Sequence, residues 1–76
     1  MPAIDIQVMD GVFTAEEKAE IIVAVTRAFG GVAGDRLAAN TSVRIHEIPS
    51  GAWGYGGTVL TTEDAKAIRF GSASAD

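Results

Sequence analysis

A chain of 76 residues that contains no cysteine has few ways to hold itself folded. A domain this short buries only a modest share of its surface. Disulfides, the usual staple of small folds, cannot form. His46 is the one histidine, so a zinc centre built from Cys and His ligands is excluded too. The remaining route is association, in which apolar surface left open by one copy is covered by another. The sequence predicts one domain over residues 1–76 that works as an oligomer.

Composition narrows the partners. With 47% hydrophobic and 21% charged residues, the chain has the make-up of a folded protein rather than a disordered one. A formal net charge of −4 argues against nucleic acid, whose phosphates call for a basic surface. No apolar run approaches membrane-span length, so no membrane partner is expected. Met1-Pro2-Ala3 leads straight into an alternating segment without a charged leader, which makes the cytoplasm the expected location. Asn40-Thr41-Ser42 fits a glycosylation sequon, but without secretion it carries no meaning.

Residues 3–9 alternate, with Ile4, Ile6 and Val8 on one side and Asp5, Gln7 and Met9 on the other. That period of two predicts a strand with one buried face, ended by the turn pair Asp10-Gly11. Thr14-Ala15-Glu16-Glu17 matches a capping box and opens a helix. Ile22, Val25 and Phe29 form its apolar stripe, widened by Ile21, Ala24 and Ala28. Gly30-Gly31 is the expected stop, which gives a helix over 15–29. Residues 30–41 read as a loop with a helical turn over 35–39. Ser42 to Ile48 reads as a second strand, with Val43 and Ile45 on one face and Arg44 and His46 on the other. Strand, helix and strand make a βαβ unit with parallel strands and a right-handed crossover. Residues 49–57 read as a Gly-rich loop and 58–60 as a short third strand. Thr62-Glu63-Asp64 reads as the cap of a helix running to Phe70, and 71–76 as a flexible tail. The fold class is α+β, a short β-α-β unit with a small C-terminal hairpin or helix.

Conventional catalytic equipment is scarce: no Cys nucleophile, no nucleophile elbow, and no Gly-rich pattern of a dinucleotide or phosphate loop. Pro2 stands out. Removal of Met1 would leave it as a secondary amine at the head of a strand. An ordinary α-amino group has a pKa of roughly 7.7–8.0, and burial or a nearby cation lowers that value by disfavouring the charged form. Such an amine can accept a proton from carbon and return it elsewhere. A Pro is also tolerated at a strand's first residue for purely structural reasons. Arg44 could clamp a substrate carboxylate or pair with an acidic side chain. Trp53 could wall an apolar pocket or anchor a subunit contact. His46 shares the face of Arg44 and is read as a strand or interface residue; Tyr55 is ambiguous. Glu16, Glu17 and Glu20 read as a solvated helix face.

Taken in order, these pieces resemble the 4-oxalocrotonate tautomerase family. The resemblance is carried by Pro2 opening the first strand, Asp10-Gly11 at its end, Thr14-x-x-Glu17-Lys18 opening the helix, Ser42-Val43-Arg44 in the second strand, and Ile48-Pro49-x-x-x-Trp53-Gly54-x-Gly56-Gly57. It implies a β-α-β fold that assembles as a dimer or, commonly, a hexamer, with sites formed between subunits. It implies an isomerase that needs no cofactor and no metal. Pro2 would be the general base, moving a proton within a small enol-keto or 2-hydroxydienoate carboxylic acid. Arg44 would bind the substrate carboxylate and stabilise enolate charge, and Trp53 would build the hydrophobic pocket.

Three features depart from the family pattern. Val12 stands where the diacid tautomerases carry a second carboxylate-binding Arg, which points away from a diacid and toward a monoacid or a substrate with a different polar group. The connection from Gly30 to Thr41 is longer than usual, and the stretch from Arg44 to Trp53 is shorter. Arg36, in the longer connection, is a candidate replacement cation. Two other readings use the same scaffold: a hydratase or dehalogenase with Pro2 as general acid, and a non-catalytic oligomeric binding protein.

Overall fold

A computed structural model describes residues 2–71. The alternating segment forms strand β1 (Ala3–Met9) and the second alternating segment forms β2 (Ser42–Ile48). The two pair in parallel in a two-stranded sheet. Both strands have the expected bounds. Ile4, Ile6, Val8, Val43 and Ile45 are half-buried, while Asp5, Gln7, Arg44 and His46 are exposed. Met9 departs from its expected face pattern: it is buried, at 5% exposure.

Between the strands runs helix α1 (Ala15–Ala33). Its start is the predicted capping box, with the Glu17 N–H donating to Thr14 Oγ1 and the Thr14 N–H to Glu17 Oε1. Its end is not as predicted, because the helix runs through Gly30-Gly31 to Ala33. Gly34, at φ 99, takes the cap, its N–H donating to the Gly30 carbonyl at 2.8 Å. Gly30 is there for packing rather than termination. A Cβ on Gly30 would come within 2.8 Å of the Ala38 Cβ, so its missing side chain lets helix α2 (Asp35–Ala38) lie against α1. The apolar stripe holds at Ile21, Ile22, Val25 and Phe29, which are half-buried. Ala24 and Ala28, expected to widen it, are exposed. Glu16 and Glu20 are exposed as expected, whereas Glu17 is half-buried in the cap.

The predicted loop over 49–57 contains a strand. β3 (Trp53–Tyr55) pairs antiparallel with β4 (Thr58–Leu60), the expected third strand. Helix α3 (Thr62–Phe70) follows, capped by Thr61 with Asp64, one residue before the predicted cap. Gly71 closes it in the left-handed conformation. The remainder of the expected flexible tail, 72–76, lies outside the described residues.

The described residues divide into two compact units, 2–6 with 13–46 and 7–12 with 47–71. In the second unit, the Asp10 N–H donates to the Ile48 carbonyl, and Thr62 Oγ1 donates to the Asp10 carbonyl at 2.6 Å. Gly11, at φ 86, sits so close to Thr62 that a Cβ would meet its methyl at 3.1 Å. The hydrophobic side chains buried among the described residues are Met9 and Val12, both in this unit. Val23, Val32, Tyr55, Val59, Ile68 and Phe70 are exposed, Val32 at 94%. No helix among the described residues is long and apolar enough to cross a membrane.

The two adjacent glycines of α1 should respond in opposite senses to alanine. Nothing lies within 4 Å of a Cβ on Gly31, so Gly31→Ala should stabilise by about 0.5–1 kcal/mol through helix propensity and a less flexible unfolded chain. Gly30→Ala should instead destabilise by about 1 kcal/mol or more, because the new methyl and the Ala38 methyl must separate. Urea unfolding of the two variants checks this, and a Gly30→Ala protein as stable as Gly31→Ala would contradict the packing role.

Candidate active site

The parallel ladder positions the first residue of the site. The Ser42 N–H donates to the Pro2 carbonyl at 2.8 Å, which fixes Pro2, itself half-buried, at the head of β1. That pairing sets Asp5, three residues beyond Pro2, beside Arg44, two beyond Ser42. Arg44 Nη1 lies 3.7 Å from Asp5 Oδ1, and His46 Nε2 lies 3.3 Å from the same oxygen. One carboxylate is thus shared by a guanidinium and an imidazole. The side chains of Arg44 and Asp5 are 58% and 54% exposed, so the arginine fork stays within reach of a ligand. A guanidinium in this position can take a carboxylate by two parallel hydrogen bonds.

The Pro2 carbonyl bond has a chemical consequence. It uses the main-chain oxygen and leaves the ring nitrogen unengaged by the ladder, since proline has no N–H to contribute once it is part of a chain. A Pro at this point can therefore be held by the sheet without its nitrogen being committed to it.

Trp53 belongs to the second unit. It is half-buried and stands opposite Leu60 in the β3–β4 hairpin. The register Trp53↔Leu60, Gly54↔Val59 and Tyr55↔Thr58 leaves Gly56 and Gly57 as the turn. Their φ values of 56 and 87 are both in the left-handed region that a tight two-residue hairpin turn demands. Gly54 is required for a different reason: a Cβ there would come within 3.0 Å of the Thr58 carbonyl oxygen. The Gly-x-Gly-Gly pattern is thus the backbone recipe for a hairpin that presents one aromatic residue. Tyr55, at 65% exposure, projects from the same hairpin.

The other candidates are placed as follows. Arg36 lies on α2 and lines a shallow open depression with Ala33, Gly34, Asp35, Leu37 and Asn40; neither Pro2 nor Arg44 is among the lining residues. His46 joins Arg44 through Asp5. Val12 is buried, at 8% exposure, and its carbonyl accepts from Arg69 Nη1 at 3.0 Å. Sequence reasoning missed Asp5, which it treated as one polar position of an alternating strand. The signal was present in the alternation, since Asp5 and Arg44 are both outward residues. Pairing them requires knowing which residue of β2 sits on Pro2, and the sequence does not display that register.

This geometry can be compared with known proteins. A family model described as tautomerase enzyme matches residues 2–63. The chain belongs to the tautomerase family. Among solved structures, this tautomerase-family chain is similar to DmpI from Helicobacter pylori, at 30% identity, with a TM-score of 0.67 over 76% of this chain and 94% of that one. It is also similar to a structure from work on the 4-oxalocrotonate tautomerase isozymes of Methylibium petroleiphilum. That match has 32% identity and a TM-score of 0.68, over 83% of this chain and 95% of the other. Among curated proteins, no sequence matches. The family match ends at residue 63, so most of α3 and the Arg69 contact to Val12 lie beyond it.

The hairpin reading predicts a spectroscopic result. Gly57→Ala forces a left-handed conformation on an L-residue, at a cost of about 1–2 kcal/mol. Trp53 is the one tryptophan of the chain, so its emission should shift to longer wavelength as the hairpin frays. Unchanged emission and unchanged stability in Gly57→Ala would contradict this account of the turn.

Proposed function

We propose that the protein is a cofactor-independent keto-enol tautomerase in which Pro2, freed by removal of Met1, is the general base and Arg44 the substrate anchor. The observation that carries this reading is the 2.8 Å bond from the Ser42 N–H to the Pro2 carbonyl, in a chain of the tautomerase family. It ties the head of β1 to the strand stretch that bears Arg44.

The substrate is a small enol or 2-hydroxydienoate acid. Its carboxylate docks on the Arg44 fork, which also draws charge from the adjacent oxygen as the enolate develops. The neutral Pro2 nitrogen takes the enol hydroxyl proton, and the oxygen lone pair closes to a carbonyl. The displaced carbon–carbon π electrons then collect the proton from the Pro2 ammonium at carbon. No proton is gained or lost overall, and no metal or cofactor enters the cycle. The half-burial of Pro2 and a cation on the neighbouring strand both favour the neutral amine. Trp53 takes the part of apolar wall that the family resemblance assigns to it.

Self-association belongs to the same reading. Only Met9 and Val12 are buried hydrophobic side chains among the described residues, too little for an independent small fold. A dimer or hexamer would cover what remains open. Light scattering should return a mass that is a multiple of the 7.9 kDa chain; a monomer at micromolar concentration would contradict this part of the proposal.

Ketonisation of phenylenolpyruvate or a 2-hydroxydienoate, followed by ultraviolet absorbance, tests the catalytic roles. Pro2→Ala should lower kcat by about 10²–10⁴, the usual worth of a matched base. Arg44→Ala should raise KM about tenfold or more, the loss of hydrogen bonds to a charged group. Equal rates for the processed protein and Pro2→Ala would remove Pro2 from the mechanism.

A further inference from the structure

We propose that Asp5 is a specificity-determining residue, its carboxylate beside Arg44 selecting acids with one carboxylate over acids with two. The inference rests on the reading of Arg44 as substrate anchor and adds to it a residue that no motif marks.

The Asp5 side chain is 54% exposed and that of Arg44 58%, and an exposed pair of this kind adds little to folding stability. Asp5 instead sets the local charge. Its Oδ1 lies 3.7 Å from Arg44 Nη1 and 3.3 Å from His46 Nε2, so the anchoring cation already carries a counter-charge before substrate arrives. A monoacid brings one negative charge, which the arginine fork takes on its open side. A diacid brings a second, which meets no uncompensated cation in this cluster and is repelled by Asp5. The anion at Asp5 thus disfavours the second carboxylate.

The test compares two 2-hydroxydienoates, one with a single carboxylate and one with a second carboxylate at its far end. It uses the processed full chain and its Asp5→Asn and Asp5→Ser variants, each checked for fold by circular dichroism. Removing the charge should raise the ratio of kcat/KM for diacid over monoacid about fivefold at low salt, the effect of one like charge near a solvated site. That gain should fade toward unity near 1 M salt, where the screening length falls to about 3 Å. Asp5→Glu, which keeps the charge, should keep the original ratio. An unchanged ratio in both neutral variants, or a change that persists undiminished at high salt, overturns the proposal. Arg44→Ala separates the two levels of the argument. If it impairs both acids while the Asp5 variants leave the ratio alone, the specificity role fails and the anchor stands. If Arg44→Ala impairs neither acid, the anchor itself is wrong and Asp5 loses its role with it.

Discussion

The hydrogen bond from the Ser42 N–H to the Pro2 carbonyl sets the register on which the arrangement of the candidate site depends. A parallel pair of strands offers no short connection, so a crossover must bring the second strand back alongside the first. Here α1, α2 and the turn before Ser42 perform that return. The closing contacts, Thr41 Oγ1 to the Leu37 carbonyl and the Asn40 N–H to the same oxygen, deliver Ser42 to the head of β1. A register slip of one residue would turn Arg44 from the outward face to the inward one and separate it from Asp5. The long helix and its glycines therefore matter to the proposed chemistry because they measure out the return path.

The second governing constraint is size. Among the described residues the buried hydrophobic side chains are few, and they lie in the 7–12 and 47–71 unit. The unit containing Pro2, Arg44 and all of α1 has half-buried apolar positions but no fully buried hydrophobic side chain among its described residues. In the proposed oligomer, association would serve stability and chemistry together, since covering the open apolar surface would also lower the local polarity in which a proline amine stays neutral.

Much of this was legible in the sequence because the deciding signals are local. Period-two alternation fixed β1 and β2 to the residue, and Thr14 with Glu17 fixed the start of α1. The signals that misled were glycines, whose meaning depends on what lies nearby. Gly30 resembles a helix stop and is a packing contact with Ala38. Gly56 and Gly57 resemble loop filler and are the turn of a hairpin. Asp5 escaped notice for a related reason: its significance comes from a cross-strand neighbour 39 positions away in the chain. Pro2, Arg44 and Trp53 were singled out because residue type, order and spacing together carry the family resemblance, and the family match over residues 2–63 supports that reading of the chain as a tautomerase.

The account turns on one covalent fact, whether the Pro2 nitrogen is an amine or an amide. An amide nitrogen has no basic lone pair, so a protein that keeps Met1 could not use Pro2 as a base. Intact mass spectrometry of the protein made in cells decides between them. The account predicts a mass equal to the chain from Pro2 to Asp76, with Met1 gone. A mass equal to all 76 residues, Met1 retained throughout the population, would contradict it.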